Sequence, residues 1–279
     1  MAFNFNDKVA AEKPDATLIV DSLNLAFRWK HQGRNDFRYD FLSTVESLAK
    51  SYNCSKILVT ADWGSSEYRK YIHPEYKQNR KDKFAEQTEE ERIAFEEFFE
   101  EYEASLELMG EEGYNIFRYK GTEADDIAAY IVKHKKEFGL DNIWLVSSDR
   151  DWDLLIQEGV SRFSYVTRKE VTIDNWYEHY DVSPEMYISL KCLTGDKGDN
   201  VPGIPGIGPK RAAQLIEQYG DALEIYNCVP LQGKHKYIQS LNENAEQILL
   251  NYELMDLITY CEDALKSNIL DINGRLNGN

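Results

Sequence analysis

Three runs of strand length, Thr17-Leu-Ile-Val-Asp21, Lys56-Ile-Leu-Val-Thr60 and Asn142-Ile-Trp-Leu-Val146, limit the folds open to this chain more than any other feature. Each is apolar through its middle instead of alternating with polar residues. A strand with one wet face alternates; an unbroken run suits a strand covered on both faces, as in a parallel sheet. Between the runs lie longer stretches with helical periodicity, such as Tyr39 to Tyr52 and Thr122 to Phe138. The alternation predicts an α/β fold with a mostly parallel twisted central sheet flanked by helices. Thr122-Glu-Ala-Asp125 reads as a capping box opening its helix. After about residue 183 the texture changes. Ser183 as N-cap and Pro184 at the first helical position begin a helix to about Leu193. A Gly/Asp-rich turn region and then mostly helical sequence follow. No Pro/Gly/Ser linker intervenes, so 16–182 and 183–279 are expected as two packed parts, with a frayed tail from Asn273.

Several classes drop out. No apolar run approaches the roughly 18–20 residues of a membrane-spanning helix. The start, MAFNFNDKVAAEKPD, lacks the basic and hydrophobic regions of a secretory signal. Cys54, Cys192, Cys228 and Cys261 are far apart and form no CxxC pair, which disfavours zinc and a disulfide framework and suits a reducing cytosol. The five histidines are equally scattered. The 49 acids against 32 bases leave a net charge of −17. Taken alone, that balance argues against a nucleic-acid partner, although it says nothing of where the charges sit.

The segment between the second and third runs is too long for a simple crossover. Its first part carries Arg69, Lys70, Lys77, Arg80, Lys81 and Lys83, interleaved with Tyr71 and Tyr76. Glu86 to Glu112 then holds 12 glutamates in 27 residues. Within it Phe95, Phe98, Phe99, Tyr102, Leu106 and Met109 fall on one helical face, which must pack on something while the glutamates face solvent.

The acids are unevenly placed. Asp21 and Asp62 end the first two runs; Glu123, Asp125 and Asp126 open a helix; Asp149 and Asp151 follow a further strand; Asp196 and Asp199 flank a glycine-rich turn. In an open parallel sheet, groups at the carboxyl ends of strands converge on one crevice. Nine carboxylates gathered there cannot all stay ionised without a compensating cation. Oxygen ligands without Cys or His select a hard metal, Mg²⁺ or Mn²⁺. So many ligands suggest two ions. For any single position, helix capping accounts for the acid as well as ligation does; the set carries the argument. Asp149-Arg-Asp151-Trp-Asp153 is not a calcium loop, because its sixth position is Leu154 and its twelfth Val160. Asp153 is left out of the ligand set.

A second constellation is Gly203-Ile-Pro-Gly206-Ile-Gly208-Pro-Lys210-Arg211. Glycines permit close backbone approach, and a helix start with Lys210 and Arg211 presents positive charge to a phosphate. The pattern is not a P-loop, since Pro209 follows Gly208. It suits a grip on a duplex backbone without base readout.

The runs Ile19-Val-Asp21-Ser-Leu-Asn24-Leu, Pro74-Glu-Tyr76-Lys77-Gln-Asn79-Arg80, Glu123-Ala-Asp125-Asp126, Ser148-Asp149-Arg-Asp151-Trp-Asp153 and Gly195-Asp196-Lys-Gly-Asp199-Asn200 resemble the structure-specific 5′ nucleases. These are the flap endonucleases and the 5′–3′ exonuclease domains of bacterial DNA polymerase I. Ser47 to Tyr52, Ala128 to Lys133 and Lys236 to Gln239 look like the branch from T-five-like bacteriophages. The resemblance spans about residues 17–265. It implies that the nine acids hold two Mg²⁺ ions, with Mn²⁺ as a substitute. It implies catalytic roles for Lys77 and Arg80 and base stacking for Tyr76. Backbone contacts fall to Arg28, Lys191, Gly203, Gly206, Gly208, Lys210 and Arg211. It further implies a helical arch at about 64–112 and a helix-three-turn-helix at about 200–220. The expected substrate is DNA with 5′ single-stranded flaps or 5′ ends and a downstream duplex, cleaved during replication by a monomer in the cytoplasm, the host's if the chain is phage-encoded. Gln78 and Arg150 depart from the family at positions where related sequences often show glycine, and Leu23 replaces a small polar residue.

Three rivals are weaker. A DNA-junction module with structural acids leaves nine acids gathered without metal. PIN-like RNA nucleases are usually shorter and lack the long insertion. A haloacid-dehalogenase-like phosphatase needs Asp-x-Asp, where this chain has Asp21-Ser22-Leu23.

Overall fold

A computed structural model describes residues 15–278, so most of the N-terminal stretch read above lies outside the described residues. In chain order the first part contains β1 (Ala16–Asp21), α1 (Ser22–His31), α2 (Arg38–Ser51), β2 (Cys54–Ala61), α3 (Glu67–Ile72), α4 (Gln78–Ala85), α5 (Glu89–Glu111), β3 (Asn115–Arg118), α6 (Ala124–Lys133), β4 (Ile143–Val146), β5 (Val160–Ser164) and β6 (Lys169–Val171). The sheet order is β3-β2-β1-β4-β5-β6, parallel except for the antiparallel edge strand β6. All three sequence-predicted strands lie at its centre.

Their two faces feed separate cores. Ile19, Leu58 and Leu145 pack with α6, whereas Leu18, Val20, Val59 and Val146 pack with α1, α2 and α5. Successive residues of a strand point to opposite faces, so an unbroken apolar run buries both. Each fully buried large side chain contributes about 1.5–3 kcal/mol.

The second part is helical: α7 (Tyr187–Thr194), a two-residue antiparallel pair β7 (Gly195–Asp196) and β8 (Val201–Pro202), α8 (Pro209–Tyr219), α9 (Ala222–Asn227), α10 (Lys236–Glu243), α11 (Glu246–Met255), α12 (Leu257–Leu265) and α13 (Ile269–Asn277). α7 to α11 enclose their own core around Trp176, Leu193, Leu215 and Leu241. The last two helices return to the sheet, where Leu257, Cys261, Leu265, Ile272 and Leu276 join the core beneath α6. The tail expected to fray is therefore helical, because Ile272 and Leu276 anchor it.

Three local expectations are corrected. The capping box at Thr122 does not form: Glu123 is the N-cap, its side chain makes no capping bond, and Asp62 accepts from the Ala124 N–H at 2.6 Å instead. That helix stops at Lys133, short of Phe138. Ser183 makes no capping bond, and a short 3₁₀ turn over Pro184–Met186 precedes α7. A complete capping box does open α5, between Thr88 and Glu91, with Glu89 and Glu90 favouring its positive end. The apolar face of α5 packs as its periodicity requires, with Phe98, Tyr102, Leu106 and Met109 buried. Of the segment expected as an arch, α4 has no buried residue, while α5 from Phe98 onward belongs to the body of the fold.

Candidate metal centre and active site

Parallel strands deliver the acids. Asp21 ends β1, Asp62 directly follows β2, and the Ser147–Asp151 turn follows β4, so all three arise at the same edge of the sheet. The buried Ser147 hydroxyl donates to Asp21 Oδ2 (2.7 Å) and accepts from the Asp149 N–H (3.0 Å), joining two of these elements. Asp149 Oδ1 accepts from the Asp151 N–H (2.9 Å), and the Trp152 indole N–H donates to Asp125 (2.6 Å).

Electrostatics divide the acids into two groups. Burial, then Asp62, raises the Asp21 carboxyl to about 8, with Asp149 adding to the push. Burial and then Glu123 raise Asp62 to about 6. Burial, then Asp149 and Asp21, holds Asp125 well above the usual carboxylate range. These four crowd one another.

The outer acids are matched by cations. Lys77 donates to Glu123 (2.7 Å) and lies 3.5 Å from Asp199; Arg80 also pairs with Asp199. Burial would raise Glu123, but Lys77 and Arg69 outweigh it and hold the carboxyl at about 2. Lys191 bridges Asp151 and Asp196. Burial dominates at Asp151, which reaches about 6 despite that lysine. Asp196 moves down, because Lys191 and the N–H groups of Asp199 and Gly198 outweigh its burial. Among the described residues, no three of these acids already close around a single point. The donor set fits hard divalent cations: it is all oxygen, buried or half-buried, and its inner members repel one another more than the nearby Lys77 offsets.

Not every sequence-predicted residue lands where it was expected. Asp126 is fully buried, with both oxygens held by Arg69 at 2.8 and 2.7 Å, facing a guanidinium and not the inner acids. Tyr76, expected to offer its face to a base, is only 4% exposed. Its hydroxyl donates towards Glu123 and Asp199, each at 2.9 Å. Lys191 is buried among the acids and is not a surface contact. Lys77 adopts φ +55, a left-handed backbone uncommon outside glycine, and this turns its side chain into the acids. Arg28 stacks on Tyr165 (4.2 Å) in a groove shared with Arg34 and Arg168 that contains none of the nine acids. Arg150 stacks on Tyr180 (5.1 Å) and donates to its hydroxyl (3.3 Å). Asp153, left out of the set, pairs with Arg162 in the interior.

The glycine-rich connection lies between α7 and α8. A Cβ on Gly203 would come within 2.1 Å of the Thr194 carbonyl oxygen, so two chain segments meet there too closely for any side chain. Gly208 is the N-cap of α8, and exposed Lys210 and Arg211 occupy its first turn. Arg211 is steadied by Tyr237 (4.9 Å) and the Gly206 carbonyl (2.5 Å).

Sequence reasoning missed Arg69, Ser147 and Trp152. Arg69 sits in the basic run and looks like its exposed neighbours there; Ser147 and Trp152 lie within or beside a recognised motif, which was the available signal.

Fold and site together define an α/β protein with a cluster of acids at the carboxyl edge of a parallel sheet and a helical subdomain beside it, and its relatives make it a nuclease, a hydrolase. The chain belongs to the 5′-3′ exonuclease family, whose N-terminal resolvase-like domain matches residues 16–181 and whose C-terminal SAM fold matches residues 182–275. The flap endonuclease of Escherichia phage T5 is 46% identical over 250 residues, 89% of this chain and 85% of that one. A crystal structure of the bacteriophage T5 flap endonuclease, in a pseudo-enzyme–product complex with DNA and metal ions, aligns with a TM-score of 0.87 at 44% identity, covering 93% of this chain and 96% of that one. The T5 5′-exonuclease with divalent zinc ions bound aligns at 0.88 with 44% identity and the same coverage.

Proposed function

We propose that the chain hydrolyses phosphodiesters of DNA at 5′ flaps and 5′ ends by a two-metal mechanism, with Mg²⁺ as the working ion and Mn²⁺ as a substitute. The observation that carries this reading is the inner group Asp21, Asp62, Asp125 and Asp149, four acids at the carboxyl edge of the sheet where burial, and after it mutual repulsion, raises the pKa values of Asp21 and Asp125. Two divalent ions, when bound, supply charge neutralisation to the attacking and leaving oxygens of an in-line displacement. The inner acids, Glu123, Asp151, Asp196 and Asp199 would hold them. Asp126 is a weaker candidate for that role, since Arg69 uses both its oxygens.

Lys77 does a different job. Its ammonium stays charged, because Tyr76, Glu123 and Asp199 outweigh the burial that works against it. It therefore stands ready to meet charge developing on the scissile phosphate, with Arg80 beside it; such preorganised charge is commonly the largest catalytic contribution. Ser147 fixes Asp21 and the Asp149 backbone relative to each other, which keeps the acids in register. Lys210 and Arg211, with Gly203, Gly206 and Gly208, form a helix-three-turn-helix grip on the downstream duplex, and the segment 64–112 provides the arch beside the single-stranded arm. The enzyme works as a monomer in the cytoplasm, the bacterial host's if the chain is phage-encoded, during DNA replication, leaving a 5′-phosphate on the product.

The test is a labelled 5′-flap duplex incubated with Mg²⁺ and then with EDTA. Cleavage is expected only with Mg²⁺. Asp149→Asn and Asp196→Asn are each expected to lower its rate by at least about a hundredfold while leaving DNA binding in EDTA intact. Full Mg²⁺-dependent activity in both variants would refute the two-metal assignment.

A further inference from the structure

Trp63 directly follows Asp62 and stands apart from the other tryptophans. Trp29, Trp152 and Trp176 are buried and Trp144 is half-buried, whereas Trp63 is 51% exposed. An exposed indole forgoes the burial that normally justifies so large an apolar ring. Its place is nonetheless fixed. The Trp63 N–H donates to the Thr122 carbonyl (3.2 Å), and its own carbonyl accepts from the Gly121 N–H (2.8 Å). This pins the residue to the turn that leads into Glu123. Gly121 is needed there: it has φ +69, and a Cβ would meet Glu67 Cγ at 2.5 Å.

The ring is also backed. The Arg118 guanidinium lies 5.5 Å from its centroid and is itself held by Glu103 (2.5 and 2.6 Å) and the Asp62 carbonyl (3.2 Å). A cation against an indole adds to its stacking capacity. Tyr76 and Trp152 also bond acids of the site, but both are buried: Tyr76 directs its hydroxyl at Glu123 and Asp199, and Trp152 its indole N–H at Asp125.

Resting on the nuclease reading above, we propose that Trp63 is the stacking platform for the base of the first unpaired nucleotide at the cleavage site. Every base has a π-face, so such a platform accepts any sequence. It would set the unpaired strand beside Asp62 without reading its bases.

The full chain is titrated in EDTA with a 5′-flap duplex and with the same duplex made abasic at its first two unpaired positions. Wild-type tryptophan fluorescence is expected to be quenched by the intact flap, and the quench to vanish in Trp63→Phe. Trp63→Ala is expected to bind the intact flap about tenfold more weakly and the abasic flap as the wild type does. Equal binding of the intact flap by wild type and Trp63→Ala would overturn the proposal. So would equal losses on both flaps, which would mean that the ring shapes the protein without touching a base. Should Trp63→Ala fail to fold, the unmodified chain decides: it must prefer the intact over the abasic flap, and equal affinities overturn the proposal. Wild-type cleavage in Mg²⁺ with an unchanged Trp63→Ala affinity rejects Trp63 alone, whereas absence of wild-type cleavage rejects the nuclease reading.

Discussion

Replacing Arg69 with methionine removes the guanidinium but keeps most of the buried stem. Arg69 donates to both oxygens of Asp126 (2.8 and 2.7 Å), to Glu123 (3.4 Å) and to the Leu254 carbonyl (2.8 Å) near the end of α11. Glu123 keeps Lys77 and Tyr76 in the variant, so its loss is small. Asp126 keeps no cation, and its side chain is 0% exposed. Breaking a buried pair by removing one partner costs about 3–5 kcal/mol, because the remaining charge is neither solvated nor paired. The unfolding midpoint should fall by roughly 10 °C. Urea unfolding followed by circular dichroism measures the loss, with an unchanged slope against urea showing that the comparison holds.

The double variant Arg69→Met/Asp126→Leu removes both charges and should recover most of the loss, since apolar replacements of a buried pair are often near neutral. A double variant as unstable as the single one would refute the account of a stranded charge. A single variant within about 1 kcal/mol of wild type would refute it as well. The same pair asks whether Asp126 holds metal: the double variant should keep the Mg²⁺-induced rise in melting temperature, and losing that rise would return Asp126 to the ligand set.

Lys77→Ala should lower turnover by more than it weakens flap binding, and equal losses in single-turnover and equilibrium measurements would reduce Lys77 to a phosphate contact. Lys210→Ala/Arg211→Ala should make the salt dependence of duplex binding shallower by about one to two counterions, and an unchanged slope removes α8 from the interface. Glu101 accepts from the Phe37 and Arg38 N–H groups (2.9 Å each) and from the Arg38 guanidinium (2.6 Å). Burial opposes its charge, but these bonds win and bring the carboxyl below its ordinary 4.5. A depressed folded-state pKa contributes stability in full above the unfolded value and loses it as pH falls through the folded one. Glu101→Gln should therefore be destabilised near neutral pH, with the gap to wild type closing below about pH 4.5; a gap unchanged in acid would refute the assignment.

How much could be read in advance depended on how local the cause was. β1, β2 and β4 were legible because central parallel strands are apolar on both faces. β3 was not, because this edge strand of four residues, Asn-Ile-Phe-Arg, has a single buried side chain, Phe117. The acids at strand ends were legible as a set, since topology alone gathers them. Their individual partners were not. Asp126, Tyr76 and Lys191 each carry the residue type that the chemistry needs, but their contacts come from positions that no local pattern connects: Arg69 for Asp126, Asp199 for Tyr76, Asp151 for Lys191. The helix cap was lost in the same way, because Asp62 reaches it from 62 residues away.

The return of α12 and α13 to the sheet affects how the protein can be made. Synthesis delivers the strands first, yet the core under α6 includes Leu257, Cys261, Leu265, Ile272 and Leu276. A growing chain can pair its strands early, but it cannot close that core until residues 257–276 have left the ribosome. Until then the surface of α6 that they cover stays wet and open to other chains, the kind of exposure that makes partly folded chains aggregate. The two matched regions meet at residues 181 and 182, yet the protein does not come apart there, because its first half is finished by its last helices.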